Sequence, residues 1–241
     1  DGERRIDIVL RSSQRADGLD LRAIVECKRV NPDRAAWVFP VQRMDLPEFE
    51  FGNFATLEST YETSGVKAPK SSAEPIRFSN PSEGPIICDT GYFAIKEKRA
   101  NGRNSASQPI EEACRQALSG SYGLKNELYS QYLKQRISFR AKFIPIIVTT
   151  APLFVAQYKH SDVDIKTGKI NEDKIYFGSS DPEPVEWLVV DYPAGNTIDP
   201  NAVPDGLTTV NTGRLGRMMR RSVFIVNSGY LKQFFKILNL D

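Results

Sequence analysis

RIDIVL at residues 5–10 and LRAIVECK at residues 21–28 are the stretches that decide the fold predicted for this chain. Both are apolar and rich in β-branched residues, which indicates strands over residues 5–11 and 21–30. The polar residues between them contain an Asp-Gly pair, a strong turn signal. The sequence therefore predicts a β-hairpin.

Charged side chains interrupt these otherwise apolar strands. Asp7 lies in the first strand, and Glu26, nineteen residues later, lies near the end of the second together with Lys28. Because side chains of a strand alternate with a period of two, Glu26 and Lys28 share one face with Ile24. A charge that is buried without a partner costs several kcal/mol. We therefore expect a metal ion, an ion pair or a substrate to bind these groups.

A surface hairpin is the alternative interpretation. In it Glu26 and Lys28 are solvated and Asp7 pairs with Arg5 or Arg22, which requires no function because exposed ion pairs stabilise by at most about 1 kcal/mol. Apolar residues on both faces of the two strands favour strands buried on both sides instead. These residues are Ile6, Ile8, Val9, Ile24 and Val25.

The composition is that of an ordinary globular protein. The 241 residues are 40% hydrophobic and 26% charged, enough for one large domain with a sizeable core. The net charge of +2 is too small to indicate a nucleic-acid binder, so a basic surface would have to come from local clustering. Three scattered cysteines and one histidine support neither a disulfide framework nor a zinc site. We expect a cytoplasmic protein with no membrane span.

Beyond the hairpin, the pattern indicates an α/β protein. Residues 31–107 show little regular pattern apart from a predicted short helix at 34–39 and a strand or helix over residues 86–96, and we interpret them as an irregular insertion. A helix begins at Gln108, with proline and two acids early in it, and the glycine-containing residues 119–123 are a candidate break. The remaining predicted elements are a second helix at 124–136, strands at 142–158 (one, or two divided at Pro152), 185–192 and 222–226, and an amphipathic helix at 229–240.

The chain resembles the PD-(D/E)xK nuclease superfamily in the order of its site residues. Asp7 lies on one strand, Glu26-Cys27-Lys28 ends the next, and Gln116 lies on a later helix. The resemblance covers residues 4–30 and 108–120. It implies a restriction-endonuclease-like α/β fold, in which helices flank a mixed central β-sheet. The chain would be a single nuclease-like domain over residues 1–241, with the long insertion between the second strand and the main helix.

The resemblance also implies roles for individual residues. Asp7 and Glu26 would be ligands of Mg²⁺ or Mn²⁺, and the carbonyl of Cys27 a further ligand. Lys28 would be the catalytic lysine, and Gln116 the helical glutamine found near the site in several families. The implied activity is metal-dependent hydrolysis of phosphodiester bonds in nucleic acid, in DNA rather than RNA.

The first residues bear on the extent of the chain. A helix usually precedes the first strand in this superfamily, and here it would lie before Asp1. The chain also starts without methionine and enters a strand within a few residues. We expect it to be truncated at the N-terminus and to come from a larger protein with further domains or subunits.

Arginine residues are candidate contacts for a nucleic-acid backbone. Two flank the proposed site, and four more would form a basic stripe if their segment were helical. These residues are Arg5 and Arg29, and then Arg214, Arg217, Arg220 and Arg221. A solvated helix face or simple ion pairing would explain them equally. The rival to an enzyme is thus a non-catalytic module that keeps the nuclease-like fold and binds nucleic acid or a protein partner.

Overall fold

The computed structural model describes residues 7–12, 19–32, 35–41, 50–59, 61–62, 65–66, 70–77, 86–88, 94–97, 108–135, 138–162, 182–193 and 220–238. The strands among them are β1 Ile8–Arg11, β2 Leu19–Lys28, β3 Ala35–Val41, β4 Glu50–Ser59, β5 Tyr61–Glu62, β6 Gly65–Val66, β7 Lys70–Arg77, β8 Ile86–Cys88, β9 Ala94–Glu97, β10 Phe139–Thr149, β11 Leu153–Gln157, β12 Trp187–Pro193 and β13 Arg220–Asn227. The α-helices are α1 Gln108–Gln135 and α2 Leu231–Leu238.

Eight of the described strands form one mixed sheet around the long strand β10. Six of them run in the order β1-β2-β10-β13-β12-β8. Strands β2, β10 and β13 are parallel. Strand β1 is antiparallel to β2, and β12 is antiparallel to β13 but parallel to β8. On the side opposite β2, the first half of β10 pairs with β4 and its second half with β13. The predicted α/β fold with a mixed sheet is confirmed.

Strand β10 is central because both of its faces are apolar. Ile144 and Ile146 lie in a core cluster with Phe234 of α2, and Ile147 lies in another with Ile110 and Ala117 of α1. The two helices therefore cover opposite faces of the sheet. All of these side chains are almost completely buried, which is the burial that favours a continuous apolar run in a parallel strand.

Helix α1 is continuous where the sequence indicated a candidate break. It runs through residues 119–123 without interruption, so that prediction is wrong. Glycine costs a helix up to about 1 kcal/mol, and packing outweighs that cost here, because Leu118 and Leu128 on either side are both buried. None of the described helices is both long enough and apolar enough to cross a membrane.

The region from 31 to 107 contributes strands to the fold. The predicted helix at 34–39 is wrong, because β3 is a strand that pairs with β11 on one side and β9 on the other. Strand β4 pairs with β10, and its Phe54 and Leu57 are buried in the core. The prediction of irregular structure is therefore also wrong for the described residues of this region. Their strands depend on partners far along the chain, which a local pattern does not reveal.

The hairpin forms as predicted, but its two strands differ in burial. Strands β1 and β2 pair antiparallel, with Ile8 opposite Val25. Val25 is buried, whereas Ile8 and Val9 are 46% and 44% exposed. The expectation of burial on both faces is therefore right for β2 and wrong for β1, because β1 is at an edge of the sheet.

A polar contact links the first turn of α1 to strand β12. The hydroxyl of Tyr192 donates a hydrogen bond to Oε1 of Glu111 over 3.4 Å. Burial, together with the negative charge of Glu111, raises the pKa of Tyr192 to about 12. Ionisation of this tyrosine is therefore opposed in the folded protein.

This pKa predicts an alkaline loss of stability. Below pH 10 Tyr192 is neutral in both states, and as the pH rises from 10 towards 12 the unfolded chain ionises first, so the free energy of unfolding falls. A rise in pKa from 10 to about 12 corresponds to about 2.7 kcal/mol, and the loss should be a fraction of this because Tyr192 is partly exposed to solvent. Urea unfolding of the wild type and of Tyr192→Phe checks this. The difference between the two proteins in their free energy of unfolding should change only above pH 10. A difference that stays constant at every pH would contradict the prediction.

Candidate active site

The pairing of β2 with β10 positions Glu26 and Lys28. The two strands are parallel over ten residue pairs, and the last of them bring Glu26 beside Ile147 and Lys28 beside Thr149. Ile24, two residues before Glu26, packs in a cluster with Leu128 of α1. Alternation along β2 then directs Glu26 and Lys28 to the face of the sheet that α1 covers.

The ammonium group of Lys28 contacts side chains from two elements. Its Nζ atom lies 2.7 Å from Oε1 of Glu26 and 2.8 Å from Oε1 of Gln116 on α1. Glu26 is only 9% exposed, so it is not the solvated side chain that a surface hairpin would have. The fold therefore brings three of the four predicted catalytic residues into direct contact.

Asp7, the fourth, reaches the same end of β2. Its Oδ2 atom accepts a hydrogen bond of 2.7 Å from the backbone N–H of Cys27. The ladder between β1 and β2 ends at the pair of Ile8 and Val25, and the side chain of Asp7 makes its contact with β2 just beyond that pair. Asp7 therefore lies next to the end of β2 that carries Glu26 and Lys28.

Cys27 offers its carbonyl oxygen rather than its thiol. In a strand, the N–H and C=O of one residue point to the same neighbouring strand, so this carbonyl opens on the side of Asp7. Burial raises the pKa of the Cys27 thiol, and the charges of Asp7 and Glu26 raise it further against the opposing effect of Lys28. The thiol is therefore protonated at neutral pH and is a poor metal ligand.

The donor set fits a hard cation. In the described part of the chain, no group of three or more histidine, cysteine or acidic residues could hold a metal ion. Magnesium does not require such a group, since one or two carboxylates with water and phosphate oxygens usually hold it. Asp7, Glu26 and the carbonyl of Cys27 supply three oxygens of this kind, and none of the soft ligands that favour zinc.

The predicted arginine contacts are only partly described. Arg29 is exposed directly after Lys28, where a nucleic-acid backbone could reach it. Arg220 and Arg221 lie in strand β13, so the prediction of a helical stripe is wrong for both. Arg221 is also buried beside β12, which leaves little of its side chain for a phosphate. The other three candidates, Arg5, Arg214 and Arg217, lie outside the described residues.

Thr150 lies just after β10 and contacts the chain at the end of β2. No pattern in the sequence indicated a role for it. Its Oγ1 atom accepts a hydrogen bond of 2.8 Å from the N–H of Val30 and also donates one to the carbonyl of Val30. The two residues are 120 positions apart. Only the parallel pairing of β2 with β10 brings them together, so no local pattern could have identified this contact.

The ion pair at the site predicts a stability effect. Lys28→Met should lower the free energy of unfolding by about 1–3 kcal/mol, because it leaves the nearly buried Glu26 without its cation. The matched control is Arg11→Met, since Arg11 is exposed and Asp20 keeps a second partner in Arg22. It should cost at most about 1 kcal/mol. Urea unfolding measures both, and equal effects would contradict the prediction.

Comparisons with protein-family models, with curated proteins and with solved structures find no match to this chain. What the site can do therefore follows from the chemistry of Asp7, Glu26, Lys28 and Gln116.

Proposed function

We propose that this chain is a metal-dependent nuclease of the PD-(D/E)xK type, with a restriction-endonuclease-like fold, that hydrolyses phosphodiester bonds in DNA. The observation that carries the proposal is the pair of contacts from Lys28 to Glu26 and to Gln116. Two strand residues and a helix residue 88 positions away are thus in direct contact. A solvated hairpin requires no such meeting.

Asp7, Glu26 and the carbonyl of Cys27 would hold Mg²⁺ or Mn²⁺ in this proposal. When bound, the ion polarises a phosphoryl oxygen and makes bound water more acidic. The carboxylates themselves hold the negative charge that attracts the ion. The Cys27 N–H already restrains the carboxylate of Asp7, so this side chain would lose less conformational freedom when the ion binds.

Lys28 would orient the attacking water and stabilise negative charge on the phosphate. Its ammonium group has three donors, and the bonds to Glu26 and Gln116 use two of them. The third is left for a water molecule or a phosphate oxygen. Side-chain entropy that would oppose binding has already been lost, because two partners fix the end of this long side chain.

Gln116 would act through Lys28. Its amide oxygen accepts the hydrogen bond from Nζ without adding a second negative charge beside Glu26. A glutamate in its place would compete with Glu26 for the same lysine. The neutral side chain therefore fits a site that also has to hold a cation between its two acids.

The choice of DNA follows the resemblance, since restriction enzymes, resolvases and repair nucleases make up much of the superfamily. Exposed Arg29, next to Lys28 in sequence, would contact a phosphate outside the cleaved bond. Such a contact positions the backbone and does not read the base sequence.

Cleavage assays test the proposal. The wild type should cut labelled DNA with Mg²⁺ or Mn²⁺ and stop when EDTA is added, and RNA should be cut more slowly. Glu26→Gln and Lys28→Met should each lower kcat/KM by at least about a hundredfold, as loss of one charge-stabilising group does elsewhere. Glu74→Gln and Lys232→Met are matched controls, since Glu74 pairs with Arg140 and Lys232 is exposed on α2. Both controls should keep wild-type activity.

Two outcomes would contradict the nuclease. One is a Lys28→Met variant as active as the wild type, which would remove the lysine from the reaction. The other is a wild type that binds DNA but cleaves neither DNA nor RNA with any divalent cation. The second result would support the non-catalytic binding module instead.

A further inference from the structure

We propose that Thr150 is a positioning residue for Lys28, and that its hydroxyl group holds the end of β2 against β10. The inference rests on the proposed function for its effect on catalysis. Its structural half, the control of Lys28 by Thr150, stands on the hydrogen bonds alone.

The ladder between β2 and β10 ends next to the site. Its last residue pair is Lys28 with Thr149, and the N–H of Thr150 donates a long bond of 3.4 Å to the carbonyl of Lys28. A strand that ends here would be free to separate from its neighbour just after the lysine. The position of Lys28 thus depends on what holds the next two residues.

Thr150 supplies this restraint through one side-chain oxygen. A hydroxyl has one donor and two acceptor lone pairs. The Thr150 hydroxyl accepts a hydrogen bond from the N–H of Val30 and donates one to the carbonyl of Val30. In a regular parallel ladder the backbone carbonyl of Thr150 would receive the Val30 N–H. The side chain takes its place, so the pairing continues beyond the last ladder residue.

The support for Thr150 is itself fixed. The next residue, Ala151, is fully buried, and its N–H donates to the hydroxyl of Thr149 over 3.1 Å. Its carbonyl accepts a bond of 2.9 Å from the amide of Asn227, at the end of β13. Strands β10 and β13 therefore hold the turn that carries Thr150, and Thr150 transmits that restraint to residues 28–30.

This arrangement would matter for the reaction because the lysine head has to stay near Glu26. A shift of about 1 Å in a catalytic group can cost about a hundredfold in rate. Substrate contacts that do not involve Lys28 would be unaffected. Loss of the hydroxyl should therefore lower kcat and leave KM nearly unchanged.

Substitutions that differ by a single oxygen test the inference. Thr150→Val keeps the shape and removes the hydroxyl, whereas Thr150→Ser keeps the hydroxyl. We expect Thr150→Val to lower kcat by about tenfold to a hundredfold with KM within about twofold, and Thr150→Ser to restore most of the loss. Thr56→Val, which removes a buried hydroxyl from β4, is the matched control and should behave as the wild type.

Hydrogen exchange by NMR provides readouts that do not need cleavage. In the wild type the Val30 amide should be protected. In Thr150→Val both this amide and the ammonium protons of Lys28 should exchange at least about tenfold faster, since each would lose a restraint on its hydrogen bonds. Thr150→Ser should keep both rates near those of the wild type.

The outcomes separate the two proposals. An unprotected Val30 amide in the wild type, which needs no variant to fold, would overturn the inference. So would wild-type exchange of the Lys28 ammonium in Thr150→Val, or an unchanged kcat in that variant. A wild type that cleaves nothing would refute the proposed nuclease activity. The exchange rate of the Lys28 ammonium protons in Thr150→Val would then decide whether Thr150 positions Lys28.

Discussion

The parallel pairing of β2 with β10 is the interaction on which the rest of the structure depends. Ten consecutive residue pairs join the two strands, and the same β10 also pairs with β4 and β13. The pairing makes β2 an interior strand, which buries Ile24 and Val25. It also places Glu26 and Lys28 at the C-terminal end of β2, where α1 lies close. Core and candidate site are thus consequences of one register.

Much of this region was predictable because its signals are local. The Asp-Gly turn between two β-rich runs predicted the hairpin, and a period of two predicted that Glu26 and Lys28 share a face. Both predictions are confirmed by the β1–β2 register and by the contact between the two side chains. The placement of Gln116 came from the resemblance, because no local rule connects residues 88 positions apart.

The errors concern features set by distant partners. Strand β3 was predicted as a helix, since its sequence alone does not reveal that β9 and β11 flank it. Ile8 and Val9 are as apolar as their partners in β2, and only the strand order shows that they lie at an edge. Arg221 entered a predicted helical stripe because its spacing suits a helix, yet pairing with β12 makes it a buried strand residue. The role inferred for Thr150 is of the same kind.

Because β1 lies at an edge of the sheet, the two parts of the candidate site differ in how readily they unfold locally. Glu26, Lys28 and Gln116 belong to a central strand and a long packed helix, whereas Asp7 precedes a four-residue edge strand. Short elements at an edge open more readily than a core does, because fewer buried contacts oppose local unfolding. Fraying of β1 would thus withdraw one carboxylate and leave the lysine and its partners in place. On heating, the proposed cleavage activity would then be lost before the protein denatures, and it would return on cooling.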